Sequence, residues 1–273
     1  MTVAEAIRAA AARLAATSDT ARLDAELLMA HALGISRSDM LLRAMRDPAP
    51  GSFAALTERR AVHEPVAYIT GWTEFYGLTL AVTPATLIPR GDSESLIEAA
   101  LRCMGPDGNA LALGTGTGAL LLAVLAKRAR WQGVGSDASA SALAVAKGNA
   151  AALGLAGRSA WFCRSWRNTG WADDLGTFDL VLCNPPYVED DAALGPDVRD
   201  FEPASALFAG REGLDDYRIL VPQLRALMTP RGIAIVEIGA NQAEAVSALA
   251  TASDFTVELR RDLAGRPRAL VLA

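Results

Sequence analysis

Four consecutive residues, Asn184, Pro185, Pro186 and Tyr187, follow an apolar run that is typical of a buried strand. The two prolines end that strand, because proline has no backbone N–H to donate to a sheet. Ligands of open α/β sheets bind at the carboxyl ends of the strands, so the four residues are expected to face a crevice. A rigid strand-ending turn with an Asx-type hydrogen bond is the alternative.

The chemistry that suits this motif is methylation of a planar nitrogen. An amide or exocyclic NH2 nitrogen is a poor nucleophile because its lone pair is delocalised. Asn184 Oδ1 and the Pro185 carbonyl can accept hydrogen bonds from its two N–H groups. Tyr187 offers a flat apolar surface beside it. Asn184, Pro185 and Tyr187 are therefore the predicted catalytic residues, and all four residues of the motif are predicted to bind the substrate. Catalysis would rest on positioning and electrostatics, without a general base.

A glycine-rich stretch, Gly114, Thr115, Gly116, Thr117 and Gly118, lies between a predicted strand and a predicted helix. This order forms the first half of a nucleotide-binding βαβ unit, in which glycines let the backbone approach a ligand at the helix N-terminus. Its G-x-G-x-G spacing differs from the dinucleotide pattern, and a simple tight turn is the alternative.

Two further residues fit a nucleoside ligand. Asp137 ends the second predicted strand, where its carboxylate can accept both ribose hydroxyls. Its alternative role is to cap the helix predicted over 139–153. Trp166 follows the third predicted strand and can cover an adenine ring, with a place in the core as its alternative. Arg90 and Asp92 are candidates for the substrate mouth, with capping of the next helix by Asp92 or Ser93 as the alternative.

Composition limits the classes of function. The chain has 273 residues and a net charge of −5, so it can form one large and one small domain and has no excess of basic residues for binding a nucleic-acid duplex. Its three cysteines form no C-x-x-C pair, and it has only two histidines. We expect a soluble cytoplasmic protein with no metal site, no membrane association and no stable nucleic-acid binding. Cys183 is expected to be a buried strand cysteine rather than a nucleophile.

The order of predicted elements gives three regions. Residues 1–64 form a helical domain that begins with a capping box at Thr2, and it serves either to dock a substrate or only to pack. Residues 65–84 are predicted to be a β-hairpin linker. Residues 85–273 alternate strands and helices, which is typical of an α/β domain with a mostly parallel sheet.

The sequence resembles the HemK/PrmC family of release-factor glutamine methyltransferases over nearly its whole length. The matching segments are Glu64-Pro65, Thr70-Gly71, Glu74-Phe75, Leu87-Ile-Pro-Arg90 with Asp92 and Glu94, Leu113 to Gly118, Asn184 to Tyr187, Phe201-Glu-Pro203 and Leu207-Phe-Ala-Gly210.

The resemblance implies a class I methyltransferase fold, with a Rossmann-like seven-stranded sheet whose last strands are partly antiparallel, after a small N-terminal helical domain. It implies S-adenosylmethionine as the methyl donor and the glutamine of the Gly-Gly-Gln motif of peptide chain release factors as the acceptor. By the same resemblance, residues Gly114 to Gly118, Asp137, Trp166 and Asn184 bind the cofactor, and Asn184 to Tyr187 hold the glutamine amide.

Three positions depart from the family pattern. Ala112 and Ser165 stand where the family usually has acidic residues, and Gly91 replaces a proline. Two carboxylates near a cationic cofactor are therefore missing, which predicts weaker binding if both are direct partners.

Two other functions remain open on the sequence alone. The first is adenine-N6 methylation of DNA or RNA, which uses the same Asn-Pro-Pro-Tyr chemistry on a flipped base. The second is a non-catalytic relative that still binds release factor, for which Ala112 and Ser165 are the only support.

Overall fold

The computed structural model describes residues 1–262 and 264–273. The chain divides into two units, of which the first comprises Met1–Trp72 and Leu194–Phe201. The second comprises Thr73–Ala193 and Glu202–Ala273.

The first unit is helical. Its α-helices are α1 (Val3–Leu14), α2 (Ala21–Leu33), α3 (Arg37–Asp39), α4 (Phe53–Ala61), α5 (Val66–Thr70) and α9 (Pro196–Arg199), and a π-helical turn covers Met40–Ala44. The predicted capping box is present, because the Thr2 side chain accepts from the Glu5 N–H and Glu5 accepts from the Thr2 N–H. One face of α1 packs in the unit's apolar core beside Leu28 and Met29.

The border between the units differs from the predicted one after Glu64. Residues 66–70 form α5 instead of the start of a linker, and α5 packs with the other helices of the first unit through Ile69. The short apolar run in this segment follows a proline, and five residues are too few to show a helical period. The hairpin itself is present and consists of β1 (Trp72–Phe75) and β2 (Leu78–Ala81).

The second unit is built on a seven-stranded sheet. Its strands are β3 (Gly108–Leu113), β4 (Trp131–Asp137), β5 (Ser159–Cys163), β6 (Phe178–Cys183), β7 (Met228–Glu237), β8 (Val257–Arg261) and β9 (Pro267–Leu272). Their order is β5-β4-β3-β6-β7-β9-β8, with β9 antiparallel to both of its neighbours and the remaining pairs parallel. The fold predicted from the sequence is therefore confirmed, including the antiparallel strand.

Helices follow the strands in alternation. They are α6 (Glu94–Cys103), α7 (Ala119–Lys127), α8 (Ala140–Ala152), α10 (Asp215–Leu224) and α11 (Ala243–Ala252). Successive residues of β3 enter different apolar clusters: Ala110 and Ala112 pack in one, Leu111 and Leu113 in the other. Both faces of the central strands are thus covered, as continuous apolar runs require. In the described part of the chain, no helix is both long and apolar enough to cross a bilayer.

Candidate functional site

The carboxyl ends of the parallel strands border a cavity of about 620 Å³ in the second unit. The strand order reverses between β3, which pairs with β4, and β6, on the other side of β3. Such a reversal opens a crevice, because the helices after the two strands lie on opposite faces of the sheet. The residues that follow β3 and β6 consequently face one space.

The glycine turn after β3 forms one wall of this cavity. A Cβ built at Gly116 meets no atom within 4 Å, and its φ of +54° suits glycine. The Thr115 hydroxyl is buried and, among the described residues, has no hydrogen-bond partner. The turn therefore presents backbone to the cavity and leaves one buried hydroxyl group unpartnered within the described residues.

Asp137 ends β4 and lies beside that turn. Its Oδ2 accepts the Gly116 N–H at 2.9 Å, and its Oδ1 accepts the Ser139 N–H at 2.9 Å. The N-cap of α8 is Ser139, whose side chain accepts from the Ala142 N–H, so the alternative role of Asp137 as a cap is not observed. The carboxylate lines the cavity and each of its oxygens retains capacity for a second hydrogen bond.

Trp166 lines the cavity beside the glycine turn. A Cβ at Gly114 would lie 3.1 Å from Trp166 Cη2, so the absence of a side chain there lets the ring approach the turn. The indole Nε1–H donates to Asp216 Oδ1 at 2.7 Å, and Arg167 pairs with Asp216 Oδ2 at 2.8 Å. Trp166, Arg167 and Asp216 all line the cavity.

Asn184 lines the same cavity from the end of β6. Within residues 1–262 and 264–273 the Asn184 side chain has no hydrogen-bond partner, so its amide oxygen is free to accept a hydrogen bond from a ligand. The two prolines that follow are buried. Pro186 contributes to the lining whereas Pro185 does not.

Tyr187 is held at three points. Its N–H donates to the Leu207 carbonyl at 3.1 Å, and its own carbonyl accepts from Gln242 Nε2 at 2.9 Å. Its hydroxyl donates to Glu237 Oε1 at 3.3 Å. Burial and the nearby Glu237 raise the pKa of Tyr187 to about 12. Tyr187 is not in the cavity lining, and it packs against the apolar cluster that contains residues of β7.

Glu237 is the buried acid behind this loop. Ser93 Oγ donates to its Oε2 at 2.5 Å, and burial raises the pKa of Glu237 from 4.5 to about 7 despite the hydrogen bond from Ser93 and the positive charge of Arg268. Asp92 pairs with Arg268 at 2.7 Å and does not line the cavity. Neither Asp92 nor Ser93 caps α6 with its side chain. Three separate segments, which contribute Ser93 with Asp92, Glu237 and Arg268, therefore meet behind Tyr187.

Arg90 faces the cavity, whereas Cys183 lies in the protein interior. Arg90 lines the cavity and pairs with the buried Glu202 at 2.6 Å.

Cys183 is fully buried, and this burial raises the pKa of its thiol well above the usual range. The thiol is thus protonated and the prediction of a buried strand cysteine is confirmed.

Curated relatives match nearly the whole chain. A release factor glutamine methyltransferase of Cereibacter sphaeroides is 43% identical over 276 residues, covering 98% of this chain and 97% of the relative. That of Rhodospirillum rubrum is 41% identical over 257 residues, covering 92% and 78%. The chain belongs to the release factor glutamine methyltransferase family. The resemblance noted in the sequence is thereby confirmed.

Two family models each match one part of this chain. The PrmC N-terminal domain matches residues 5–71, and the methyltransferase small domain matches residues 93–200. The first match ends one residue before Trp72, where the first unit's N-terminal part ends.

Solved structures share the fold. A ribosomal protein L11 methylase from Lactobacillus delbrueckii aligns with a TM-score of 0.52 at 22% identity, covering 70% of this chain and 83% of that one. A methyltransferase from Pyrococcus furiosus aligns with a TM-score of 0.53 at 14% identity, covering 72% and 89%. At these identities, both likenesses concern the fold alone.

Most of the predicted site residues meet at the cavity. The predicted residues in its lining are Gly114, Thr115, Gly116, Thr117, Asp137, Trp166, Asn184 and Pro186. Gly118, Pro185 and Tyr187 are not in the lining. Gly118 begins α7, and a Cβ there would lie 3.0 Å from Leu122 and 3.1 Å from Trp161.

Sequence reasoning missed Asp216, Arg167, Glu237 and Gln242. None of them belongs to a motif, since their significance comes from partners about 50 positions away, as in Trp166 with Asp216 and Tyr187 with Glu237. The acidic doublet Asp215-Asp216 at the start of a helix is typical of ordinary helix-dipole complementarity and gave no distinguishing signal.

Proposed function

We propose that this protein transfers a methyl group from S-adenosylmethionine to the side-chain amide nitrogen of the glutamine in the Gly-Gly-Gln motif of peptide chain release factors. One observation carries the proposal: a single cavity is lined both by the glycine turn with Asp137 and by Asn184, whose side chain is unpartnered. The names of the curated relatives support the same substrate.

The cofactor half of the cavity fits a nucleoside. Gly116 leaves open space where a side chain would otherwise project, and the buried Thr115 hydroxyl lacks a partner among the described residues. Asp137 would accept the ribose hydroxyls, and Trp166 would cover the adenine. When bound, S-adenosylmethionine supplies the electrophilic methyl group.

The acceptor half would hold and orient a primary amide. Asn184 Oδ1 and the Pro185 carbonyl would accept hydrogen bonds from its two N–H groups. These two hydrogen bonds would fix the nitrogen and favour localisation of its lone pair. The amide nitrogen sheds its surplus proton readily after attack, so no side chain has to act as a strong base. Cys183 lies within β6 as a buried, protonated thiol and takes no part.

Adenine-N6 methylation is the competing reaction at such a site. The net charge of −5 disfavours it, because binding to DNA depends largely on neutralising phosphates. A non-catalytic role is disfavoured by the free side chain of Asn184 in the cavity lining.

The test is mass spectrometry of a purified release factor after incubation with the protein and S-adenosylmethionine. One added methyl on the Gly-Gly-Gln glutamine is expected, and it should be absent with Asn184→Ala. Asn109→Ala, which changes an exposed asparagine of β3, is the matched control and should methylate normally. Cofactor binding without methylation would contradict the proposed substrate and redirect the search to nucleic acids.

A further inference from the structure

The cavity lining contains a second carboxylate besides Asp137, and none of the segments quoted for the family resemblance includes it. Ala112 and Ser165 both line the cavity but offer no charge there. Asp216, at the start of α10, lines the cavity as well, although only 2% of its surface is exposed. A buried carboxylate requires partners, because desolvating an unpaired charge is expensive.

Those partners are Trp166 and its neighbour Arg167. Asp216 Oδ1 accepts the Trp166 indole N–H at 2.7 Å, and Oδ2 pairs with Arg167 at 2.8 Å. The side chain of Arg167 is half exposed, so the pair is buried on the carboxylate's side and open on the arginine's side. Both oxygens of Asp216 are therefore committed to the segment 166–167.

Trp166 has contacts through both its ring and its backbone. Gly114 lets the ring approach the glycine turn, and Gln223, about two turns further along α10, donates to the Trp166 backbone carbonyl at 3.4 Å. Asp216 is the only one of these contacts that holds the edge of the ring itself through a charge-assisted hydrogen bond. Without it, no polar contact from the described residues would oppose rotation about the side-chain torsions of Trp166.

We propose that Asp216 is a positioning residue for the cofactor, which holds the Trp166 ring as the wall against which the adenine of S-adenosylmethionine packs. This inference rests on the proposed function, because it takes Trp166 as part of the cofactor site. Asp216 acts through Trp166, and it supplies from α10 a carboxylate that neither Ala112 nor Ser165 can supply.

Calorimetric titration of the full chain with S-adenosylmethionine tests the proposal. Asp216→Ala is expected to weaken binding about tenfold, the equivalent of one charge-assisted hydrogen bond. Asp216→Asn keeps an acceptor for the indole N–H and should lose less. Asp215→Asn, at the neighbouring exposed carboxylate of the same helix, is the matched control and should bind normally.

A double-mutant cycle separates positioning from direct contact. Trp166→Phe keeps an aromatic ring but removes the N–H donor, so adding Asp216→Ala to it should weaken binding less than twofold further. An equal loss from Asp216→Ala in both backgrounds would overturn the proposal and indicate direct contact with the cofactor. No loss in the wild-type background would overturn it as well.

A ligand-free measurement guards against misfolded variants. The indole ¹H–¹⁵N signal of Trp166, assigned by its loss in Trp166→Phe, should shift on Asp216→Ala and stay in place with Asp215→Asn. An unmoved signal in a folded Asp216→Ala protein would overturn the proposal. Wild-type binding without methylation of release factor contradicts only the proposed function, whereas no wild-type binding contradicts both.

Discussion

The two halves of the cavity are built differently. On the glycine-turn side, the position of a side chain at Gly116 is open space, and the buried Thr115 hydroxyl has no hydrogen-bond partner among the described residues. On the Asn-Pro-Pro-Tyr side, the backbone and side chain of Tyr187 are bonded to Leu207, Gln242 and Glu237. One half therefore leaves space for a ligand to complete it, whereas the other is fixed by contacts within the protein and, in the described part of the chain, leaves the Asn184 side chain unpartnered.

Removing the free group should have the largest effect. Asn184→Ala is expected to lower the methyl-transfer rate by roughly 100- to 1,000-fold, because one preorganised acceptor of the reacting amide is lost. Cofactor affinity should change much less, since the glycine turn and Asp137 are untouched. Single-turnover rates and calorimetry measure the two quantities. A variant with a near-normal rate would contradict the assignment of Asn184.

The buried acid behind the fixed half should make stability depend on pH. The pKa of Glu237 is raised from 4.5 to about 7 on folding, so the unfolded chain binds fewer protons between these values and the free energy of unfolding falls as pH rises. Relative to Glu237→Gln, the wild type should lose about 3 kcal/mol of stability across that range, at about 1.4 kcal/mol for each pH unit.

Denaturant unfolding at pH 5 and pH 8 measures this difference. Glu258→Gln, at an exposed glutamate of β8, is the control and should follow the wild type. Parallel pH profiles for the wild type and Glu237→Gln would show that Glu237 titrates normally and would contradict its burial.

A pair of glycine substitutions compares the halves directly. A Cβ at Gly213 would lie 2.2 Å from the Tyr187 carbonyl oxygen and φ there is +65°, so Gly213→Ala should lower the free energy of unfolding by about 2 kcal/mol or more. Gly116→Ala meets no atom and should cost only about 1 kcal/mol for its positive φ. Cofactor affinity should show the reverse order, because a methyl group at residue 116 would enter the cavity. Equal effects on both quantities would remove the distinction between the halves.

The smallest effect is expected at the Tyr187 hydroxyl. Tyr187→Phe removes a 3.3 Å hydrogen bond to Glu237 and should change the free energy of unfolding by about 1 kcal/mol or less. The ring stays in its cluster, so the methyl-transfer rate should remain within a fewfold of wild type. A large loss of rate with normal stability would mean that the hydroxyl reaches the substrate.

The sequence predicted the two halves unequally well. The glycine turn and Asp137 lie within one strand-turn-helix-strand unit, so their meeting follows from local pattern. Asn184 was found because two prolines end its strand. The supports of Tyr187 and Trp166 were missed, since Glu237, Gln242 and Asp216 are brought to them only by the order of strands in the sheet.

The helical boundary shows the same limit on a smaller scale. Helix α5 is five residues long, which is too short for periodicity, and only its packing in the first unit's core shows where it belongs. The role of this unit in docking a substrate stays a prediction.

The helical unit is discontinuous in the chain, because Leu194–Phe201 belongs to it although the residues on either side do not. A protease cut between Trp72 and Thr73 therefore severs only one of the three covalent passages between the units. The cut fragment would remain attached through its folded contacts with residues 194–201 until those contacts open. An expressed fragment that stops at residue 72 lacks those contacts, so such a fragment is an incomplete copy of the helical unit.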